Sequence, residues 1–435
     1  MRVAQFNTFP YGGAATAARR VHKTMCNKEI DSNFYYHRNS KHQITDPTFH
    51  QLEFSPPQHG ILSRALKRRQ YRNQQKETYR LYNEHIASRP SSSETFSMAQ
   101  LPEPTTLNWK TINADIVHLH WISFFADYSS FFRSIPDAVP IVWTLHDMNA
   151  FTGGCHYSNG CGRFKFGCGS CPQVTNSHLN DVSTATFGIK QEALKGKQIH
   201  VVTPSDWMRE LAIHSKVWPE QTTFQTLRLG FDLETFKPIP KDEAKRRLGI
   251  ESNAIQIAFG AEDINNRRKG MRHLLKSLAQ LKSDTPIECL VFGSGEIETT
   301  AEIPEIHQFG YVDSEEKQAL IYSAADIVVV PSREDNQPQV GLEAMACGTP
   351  VIAFEAGGIP EYVRHGTTGF LARLGDESHL ANQIKRLVEN DEARQLMGQR
   401  ARLMMEREFE LHQQTDKHVQ LYSSVTRSPS RARAA

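Results

Sequence analysis

The sequence predicts an α/β protein with two domains, each built on a parallel β-sheet. Apolar strand patterns end in polar residues and alternate with helical patterns, which is typical of buried parallel strands. The alternation stops at "LGFDLETFKPIP", residues 229–240, and then starts again. The 435 residues are enough for two or three domains. We therefore expect one sheet on each side of this segment.

The first domain opens with a strand at residues 2–7, then a glycine loop, then a helix over residues 15–27 whose apolar residues share one face. Three further strands with polar carboxyl ends are predicted at 114–121, 140–147 and 198–205. In open parallel sheets, ligands bind outside the carboxyl ends of the strands. The loops that follow these strands are therefore expected to carry functional residues.

The second domain repeats the pattern, with strands predicted at 255–261, 287–295, 325–332 and 350–358. Helical patterns lie between them, for example at 272–282 and 315–325. We place the domains at 1–232 and 233–410, followed by a C-terminal helix and a basic, disordered tail over 411–435. Two facing sheets would hold their ligand in the cleft between them.

The composition is that of a globular protein in which positive and negative charges nearly balance. Fifty Lys and Arg residues against 48 Asp and Glu give a formal net charge of +2, which does not suggest a nucleic-acid-binding protein. The sequence contains no run of ~18 apolar residues, so we expect no membrane-spanning helix. The N-terminal "MRVAQFNTFPYGG" lacks the apolar core of a signal peptide. We expect a cytoplasmic protein, whose seven cysteines are reduced or metal-bound.

The segment "PSREDNQPQVGLEAMACGTP", residues 331–350, concentrates acidic groups around a predicted helix start. A strand ends at Pro331, a helix is predicted over 338–347, and Glu334, Asp335 and Glu343 surround its first turn. Amides at a helix start attract phosphate, and carboxylates accept hydrogen bonds from sugar hydroxyls. The spacing fits a nucleotide-sugar site, and it fits a capped helix beside an acidic loop equally well.

The longer stretch "PSREDNQPQVGLEAMACGTPVIAFEAGGIPEYVRHGTTGFLA" resembles the donor-binding signature of family-4 retaining glycosyltransferases, which have the GT-B fold. That fold has two Rossmann-like domains facing across a cleft. The family pattern is a glutamate, seven residues and a second glutamate. Counting back from Glu343 puts Asp335 at the first position, and Glu334 is one residue out of register. The resemblance implies that Asp335 contacts the donor sugar and Glu343 the ribose.

Other motifs follow in the family's order. The resemblance implies that Gly12 and Gly13 approach the donor phosphate, that His120 in "HLHW" is the functional histidine, and that Lys269 in "RRKG" binds the diphosphate. Gly293 in "GSGE" matches the base-binding region. Glu334, Asn336 and Gln337 complete the predicted donor site, and His120, Asp335 and Lys269 are the predicted catalytic residues.

One position departs from the family. An arginine usually stands five or six residues before the lysine, where this chain has Asp263 or Ile264. Arg267 or Arg268 would then supply the second positive charge, and we assign Arg268 to the donor site. His146 and Asp147 in "TLHD" either line the acceptor side or merely close a strand.

Four cysteines lie in one loop, "CHYSNGCGRFKFGCGSC", at Cys155, Cys161, Cys168 and Cys171. Their spacing, with glycines that permit tight turns, predicts a closed structural zinc site. Packed reduced thiols, two disulfides in an oxidising compartment and an iron–sulfur cluster are the alternatives. The surrounding sequence also resembles the colanic-acid and capsule-type members of the family, which implies a role in surface polysaccharide synthesis.

The preferred function is therefore a retaining glycosyltransferase that moves a sugar from a nucleoside diphosphate donor to a growing, lipid-linked bacterial polysaccharide such as capsule, exopolysaccharide or lipopolysaccharide. No Asp-x-Asp pair is present, so no catalytic metal is expected. A GT-B nucleotide-sugar epimerase and a non-catalytic nucleotide-sugar-binding protein are the alternatives.

A basic segment at residues 62–80 carries seven basic residues against Glu77. It predicts either a solvated helix or a patch that holds the enzyme peripherally on the anionic inner face of the cytoplasmic membrane. The apolar stripe of this helix, Leu62, Ala65 and Leu66, is short, so any attachment would be electrostatic.

Overall fold

The computed structural model describes residues 1–37, 44–52, 61–90, 93–297 and 303–426, with the backbone alone for 61–71. The chain forms two compact units. Unit 1 comprises Met1–Leu227 and the chain from Thr415 onward, and unit 2 comprises Arg228–Gln414. Unit 2 begins at Arg228, five residues before the predicted domain boundary at 233. The predicted disordered tail, from residue 427, lies outside the described residues.

Unit 1 is built on seven parallel strands in the order β3-β2-β1-β4-β5-β6-β7. The strands are β1 (Arg2–Phe6), β2 (Asp31–His37), β3 (Phe49–Leu52), β4 (Ile116–Leu119), β5 (Ile141–Thr144), β6 (Ile199–Thr203) and β7 (Thr223–Thr226). Its helices are α1 (Gly13–Asn27), α2 (Ile61–His85), α3 (Trp109–Ile112), α4 (Tyr128–Ser134), α5 (Val182–Leu194) and α6 (Asp206–Ile213). The two central strands β4 and β5 are buried along their whole length, because helices cover both faces.

The order of the strands in unit 1 creates a crevice. The chain winds outward from β1 to β3 and then returns to place β4 on the other side of β1. The connections that leave β1 and β4 therefore run in opposite directions, which opens a ligand site at their carboxyl ends.

Unit 2 has six parallel strands in the order β10-β9-β8-β11-β12-β13. They are β8 (Ile255–Asp263), β9 (Ile287–Ser294), β10 (Glu305–Gln308), β11 (Ile327–Val330), β12 (Val351–Phe354) and β13 (Gly369–Ala372). The helices are α7 (Lys241–Leu248), α8 (Met271–Ala279), α9 (Glu315–Ala324), α10 (Gln339–Ala346), α11 (Glu377–Val388) and α12 (Asp391–Glu408). The equivalent reversal of strand order falls between β8 and β11.

The last helix, α13 (Leu411–Thr426), brings the chain back to unit 1. Tyr422 on this helix is fully buried, and its hydroxyl lies 2.6 Å from His118 Nδ1 on β4. His118 Nε2 bonds Thr144 Oγ1 on β5 at 2.8 Å. The C-terminal helix is thereby part of the first unit's core.

The predicted α/β class with two parallel sheets is confirmed. Short 3₁₀ turns lie at Asn149–Phe151, Arg163–Phe166 and Ile359–Glu361. Across the described residues, none of the helices is both long enough and apolar enough to cross a membrane.

Candidate active site

An ion-pair cluster lies where the strand order of unit 2 reverses. Arg268 and Lys269 stand in the loop after β8, and Asp335 stands in the loop after β11. Lys269 Nζ lies 2.8 Å and Arg268 Nη1 3.0 Å from Asp335 Oδ2. Asp335 is only 4% exposed, whereas the Lys269 side chain is 26% exposed and accessible to a ligand. Two cations are therefore held at the carboxyl edge of the sheet.

The backbone of these two loops is in direct contact. Arg333 N donates to Arg268 O at 2.8 Å, and Gly270 begins the following helix with φ +83°. A Cβ at Gly270 would lie 1.9 Å from the carbonyl oxygen of Pro331, so only glycine fits here. The Lys-Gly pair therefore has a structural reason: the glycine lets the loop that carries Lys269 approach the end of β11.

Asp335 makes the ion pairs with Arg268 and Lys269. Glu334 is half-buried and contributes its backbone carbonyl, which accepts from Arg268 Nη1 at 3.1 Å. The two arginines also differ, because Arg267 is exposed while Arg268 reaches Asp335. At the position where the family usually has an arginine, Asp263 is exposed and Ile264 is buried.

The other predicted donor residues of this loop are buried and bonded within unit 2. Asn336 N donates to Asp335 Oδ1 at 3.1 Å, and Gln337 Oε1 accepts from Leu229 N at 3.1 Å. Glu343, on α10, is 5% exposed, and its Oε2 accepts from the hydroxyl of the fully buried Tyr322 at 3.0 Å. Glu343 therefore already has one partner that fixes its carboxylate.

Gly293 is the penultimate residue of β9 and has φ +133°, and a Cβ there would lie 2.0 Å from the carbonyl oxygen of Ala261. It permits close packing of β9 on β8 beside the predicted base-binding region. In unit 1, Gly12 precedes α1 with φ +87°, and Gly13 is the first residue of that helix. A Cβ at Gly12 would meet nothing within 4 Å, so conformation rather than space favours glycine there.

Histidines form the centre of the corresponding edge in unit 1. His120 follows β4, and its Nε2 lies 3.1 Å from Gln5 Oε1 on β1. Gln5 Nε2 donates to Ser32 Oγ, so Oε1 is the acceptor and His120 carries its proton on Nε2. His120 Nδ1 then accepts from His146 Nε2 at 3.2 Å. Both ring nitrogens of His120 are thereby occupied.

These histidines are neutral. Burial, reinforced by His118 and His146, lowers the pKa of His120 well below its ordinary value. Burial also lowers the pKa of His146 to about 4, although neighbouring Asp147 opposes the shift. At neutral pH this edge therefore offers imidazole hydrogen-bonding groups without positive charge.

Asp147 is the charged group of this edge. Its Oδ2 accepts from Trp121 Nε1 at 2.7 Å and lies 2.6 Å from His156 Nδ1, and its Oδ1 accepts from Asn149 N at 2.8 Å. Burial alone would raise the pKa of Asp147, but His156 and these donors lower it overall. The carboxylate is therefore ionised. His146 and Asp147, predicted for the acceptor side, do lie at one strand end.

Sequence reasoning missed two residues of this site. His156 follows Cys155 in the cysteine-rich loop and is buried, with Nε2 2.7 Å from Ser97 Oγ. Trp121, the last residue of "HLHW", is half-buried against the His156 ring, with ring centroids 5.4 Å apart. A histidine and a tryptophan next to predicted site residues were the available signals.

An aromatic platform flanks the same edge, formed by Phe9, Tyr11, Trp121 and Phe124. Phe9 stacks on Tyr11 with centroids 5.3 Å apart, and Trp121 lies 6.1 Å from Phe9 and 5.9 Å from Phe124. Tyr11 is 39% and Phe124 48% exposed. Exposed apolar rings grouped in this way indicate a binding surface.

The basic segment forms part of α2. The side chains of residues 61–71, which include the predicted apolar stripe, lie outside the described residues. Arg72 and Lys76 are exposed, and Arg80 pairs with Glu77 and Glu84 at 2.8 and 2.5 Å. Leu81 and Thr78 are buried against unit 1, so the second half of α2 is packed.

Comparison with known proteins agrees with this geometry. Residues 256–390 match the family of group 1 glycosyl transferases. The chain is 26% identical over 324 residues to N-acetyl-alpha-D-glucosaminyl L-malate synthase of Bacillus anthracis, covering 72% of this chain and 76% of that protein. It is 26% identical over 306 residues to D-inositol 3-phosphate glycosyltransferase of Corynebacterium diphtheriae, covering 65% of each.

Solved structures share the whole fold. Sucrose-phosphate synthase from Thermosynechococcus elongatus has a TM-score of 0.68 at 17% identity, covering 98% of both chains. Anabaena HepE in complex with UDP-glucose has a TM-score of 0.61 at 15% identity, covering 98% of this chain and 100% of that one. WaaG, a glycosyltransferase involved in lipopolysaccharide biosynthesis, has a TM-score of 0.60 at 17% identity, covering 97% and 99%.

Two parallel sheets with ligand sites at their strand-order reversals define the GT-B fold class. The solved structures show that the chain has this fold, and residues 256–390 of unit 2 are similar to the group 1 glycosyl transferases.

Proposed function

We propose that the protein transfers a sugar, with retention, from a nucleoside diphosphate donor to a hydroxyl of a glycan acceptor on a lipid carrier. The observation that carries the proposal is the pair of cations, Arg268 and Lys269, held by Asp335 beside the start of α10. Two phosphates need two positive charges, and the helix start adds amide donors.

The donor diphosphate would bind between Lys269 and the first turn of α10. Among the described residues, no side chain caps that helix, whose N-cap is Pro338. Lys269 keeps a quarter of its side chain exposed, so its ammonium can turn from Asp335 toward a phosphate. Asp335 would then accept hydrogen bonds from the donor sugar, and Glu343 from the ribose.

The reaction would be a front-face displacement. The acceptor oxygen forms a bond to the anomeric carbon while the bond from that carbon to the diphosphate oxygen breaks. The proton of the acceptor hydroxyl moves to the leaving diphosphate. Lys269 and Arg268 stabilise the negative charge that develops on the leaving group.

The acceptor would bind at the edge of unit 1 that holds Asp147, His146 and the aromatic platform. Sugar rings present C–H faces that pack on aromatic rings, and their hydroxyls donate to carboxylates. Neutral histidines and an ionised aspartate suit hydroxyls and disfavour anions. HepE, solved with UDP-glucose, supports the donor class, and WaaG supports a surface glycan as product.

A second candidate acceptor is a small anion. The relatives named for malate and inositol phosphate favour it. Arg19, half-buried in α1, donates from Nη1 to Pro10 O at 2.8 Å and stands next to the glycine loop. A guanidinium binds carboxylates and phosphates through paired N–H donors, so Arg19 would contact such an acceptor.

The test combines two panels. Calorimetry with UDP-, GDP- and ADP-sugars should show binding of one donor that Lys269→Ala weakens. Transfer from that donor should then be measured to lipid-pyrophosphate oligosaccharides, to L-malate and to inositol phosphate. Transfer only to the small anions would reject the glycan acceptor, and donor binding without transfer or hydrolysis would favour a non-catalytic protein.

The aromatic platform gives a sharper acceptor test. Tyr11→Ala and Phe124→Ala should each raise the acceptor KM several-fold and leave donor affinity unchanged. Tyr79→Ala, which removes an exposed tyrosine of unit 1 on α2, is the matched control. Unchanged acceptor KM in both platform variants would show that the rings do not bind the acceptor.

A membrane-facing position would bring the enzyme to a lipid-linked acceptor. The exposed Arg72 and Lys76 on α2 support attachment to an anionic leaflet. Vesicles of increasing anionic lipid content should co-sediment the protein at low salt and release it at high salt. Equal, negligible binding to neutral and anionic vesicles would reject this attachment.

A further inference from the structure

The four cysteines of the loop line one small cavity. Cys155, Cys161, Cys168 and Cys171 surround a space of about 20 Å³ in unit 1. Cys155 and Cys171 are buried, and Cys161 and Cys168 are half-buried. A cavity of about 10–15 Å³ is the minimum that holds one water-sized sphere. The space therefore has room for a single ion.

The backbone that presents these thiols is held in an uncommon conformation. Gly167, Cys168, Gly169 and Ser170 have consecutive φ values of +100°, +64°, +96° and +45°. Cysteine and serine adopt such angles at an energetic cost and keep them where the surroundings demand it. This left-handed turn directs the Cys168 and Cys171 side chains to the same cavity.

One backbone amide contacts a sulfur of the cavity. Gly153 N donates to Cys168 Sγ at 3.1 Å, and this bond fixes the position of that sulfur. Gly153 precedes Cys155 by two residues, so this bond joins the two ends of the cysteine-rich loop.

Positive charge is placed beside the cavity. Lys190 on α5 is fully buried, and its Nζ donates to the carbonyl oxygens of Asn149 and Thr152, the latter at 3.1 Å. It interacts electrostatically with Cys155 and Cys168, and Arg89 does so with Cys171 and Cys155. Four thiolates around one divalent ion carry a net negative charge, which these two cations would offset.

A second group of possible metal ligands, Glu84, His85 and His178, is more closely spaced but suits a metal less well. Glu84, His85 and His178 are the described residues whose potential ligand atoms lie within 4.8 Å of one another in a group of three. No three of the four cysteine sulfurs all lie within that distance of one another. However, Glu84 is engaged by Arg80 at 2.5 Å. The thiols have no such competing ion pair among the described contacts.

We propose that Cys155, Cys161, Cys168 and Cys171 bind one Zn²⁺ in a closed structural site, which positions His156 against Asp147. Four sulfur ligands and no open position are typical of structural zinc. His156 directly follows Cys155, and its Nδ1 lies 2.6 Å from Asp147 Oδ2. The ion would therefore fix the wall of the edge that, under the proposed function, receives the acceptor.

The first test is stoichiometry, and it does not depend on activity. Protein purified under reducing conditions should contain about one zinc per chain by elemental analysis. A mercurial thiol reagent should release that zinc in proportion to the thiols it modifies. Less than about 0.1 zinc per chain, after expression with added zinc, would overturn the proposal, and so would two disulfides detected by mass spectrometry after alkylation.

Variants locate the ion. Cys168→Ser and Cys155→Ser should each lower the zinc content per folded chain at least tenfold. Cys26→Ser, the same change at a half-buried cysteine of α1 in the same unit, should retain it. If the loop variants do not fold, Co²⁺ substitution of the wild-type protein should give the visible bands of tetrahedral thiolate cobalt. Octahedral spectra would exclude the four-sulfur site.

The positioning role has its own readout. Zinc removal by thiol modification should raise the acceptor KM and alter the His156 imidazole NMR signals, while donor affinity in unit 2 stays constant. Unchanged His156 signals in zinc-depleted, folded protein would show that the ion does not position this histidine. Should the proposed function fail, the zinc stoichiometry and the NMR readout remain valid tests.

Discussion

The two units place polar side chains at equivalent edges of their sheets, but the charges of those side chains differ. Each places its functional side chains where the strand order reverses, after β1 and β4 in unit 1 and after β8 and β11 in unit 2. Unit 2 uses an ion-pair cluster of Arg268, Lys269 and Asp335. Unit 1 uses buried neutral histidines around one ionised aspartate. The two edges therefore differ in charge: unit 2 offers two cations, and unit 1 offers neutral rings and one anion.

The largest effect is expected when the exposed cation of unit 2, Lys269, is removed. Lys269→Ala should lower kcat/KM by about 10²–10³, which is typical when one preorganised donor to a developing negative charge is lost. Acceptor KM, which depends on unit 1, should stay within twofold. Steady-state kinetics with both substrates varied measures this. Arg267→Ala, at the exposed neighbouring arginine, is the control, and near-normal turnover of Lys269→Ala would contradict the phosphate role.

Asp335 tests whether the cluster depends on one carboxylate. Asp335→Asn leaves Arg268 and Lys269 without their buried partner, and breaking a buried pair costs about 3–5 kcal/mol, less where the cations reach solvent. We expect a loss of turnover and a lower melting temperature. Glu334→Gln should lower turnover less than Asp335→Asn, because the contact of Glu334 with Arg268 is made by its backbone carbonyl, which this change leaves in place. The reverse order of effects would show that Glu334 occupies the family's first acidic position.

Glu343 sharpens the comparison within unit 2. Glu343→Gln can still accept from Tyr322 but loses its charge, so donor affinity should fall by about 1–3 kcal/mol while stability is kept. Tyr322→Phe should lower stability and leave donor affinity nearly unchanged. Calorimetry and thermal unfolding of both variants separate the two roles. Equal donor affinity in Glu343→Gln and the wild type would exclude the ribose contact.

The smallest effect in solution concerns protonation of unit 1. Burial lowers the pKa of His22 and of His146 to about 4, and it lowers the pKa of His118 and His120 well below the ordinary value. Below pH 6.5 the unfolded chain binds protons that the folded unit does not. Stability of unit 1 should therefore fall as pH drops from 6.5 toward 4, and it should be constant above that window.

Tryptophan fluorescence isolates this effect, because all five tryptophans lie in unit 1. The thermal midpoint should fall by several degrees between pH 6.5 and 4.5. His22→Gln, which removes one titrating ring that bonds Ser32 and Thr48, should reduce the slope. A flat midpoint across the window would show that these histidines are protonated in the folded unit.

The sequence predicted the central strands well because they are apolar along their length. Ile327–Val330 and Val351–Phe354 are fully buried and fall inside the predicted ranges. The edge strands β3, β7, β10 and β13 were missed, and so was the inner strand β2. β7, with the sequence TFQT, and β10, with EIHQ, are half-exposed and carry no apolar run. Pairing with a neighbouring strand, which a local pattern does not encode, makes them strands.

The site was predictable where a motif has local spacing. Asp335 was placed by counting from Glu343, and Lys269 by its glycine. His156 was not predicted because it contacts Asp147 through the folding of the cysteine-rich loop, and nothing in the spacing of the two residues shows this. The choice of Arg268 over Arg267 likewise depends on which side chain faces β11.

The return of α13 to the first unit has a consequence for biosynthesis. Tyr422 reaches His118 across 304 residues of sequence, and the chain from Thr415 onward belongs to unit 1. A ribosome adding 5–20 residues per second needs roughly 10–40 s to synthesise unit 2 in between. The unit translated first is thus completed last, and the nascent protein exposes an unfinished core to chaperones and proteases for that interval.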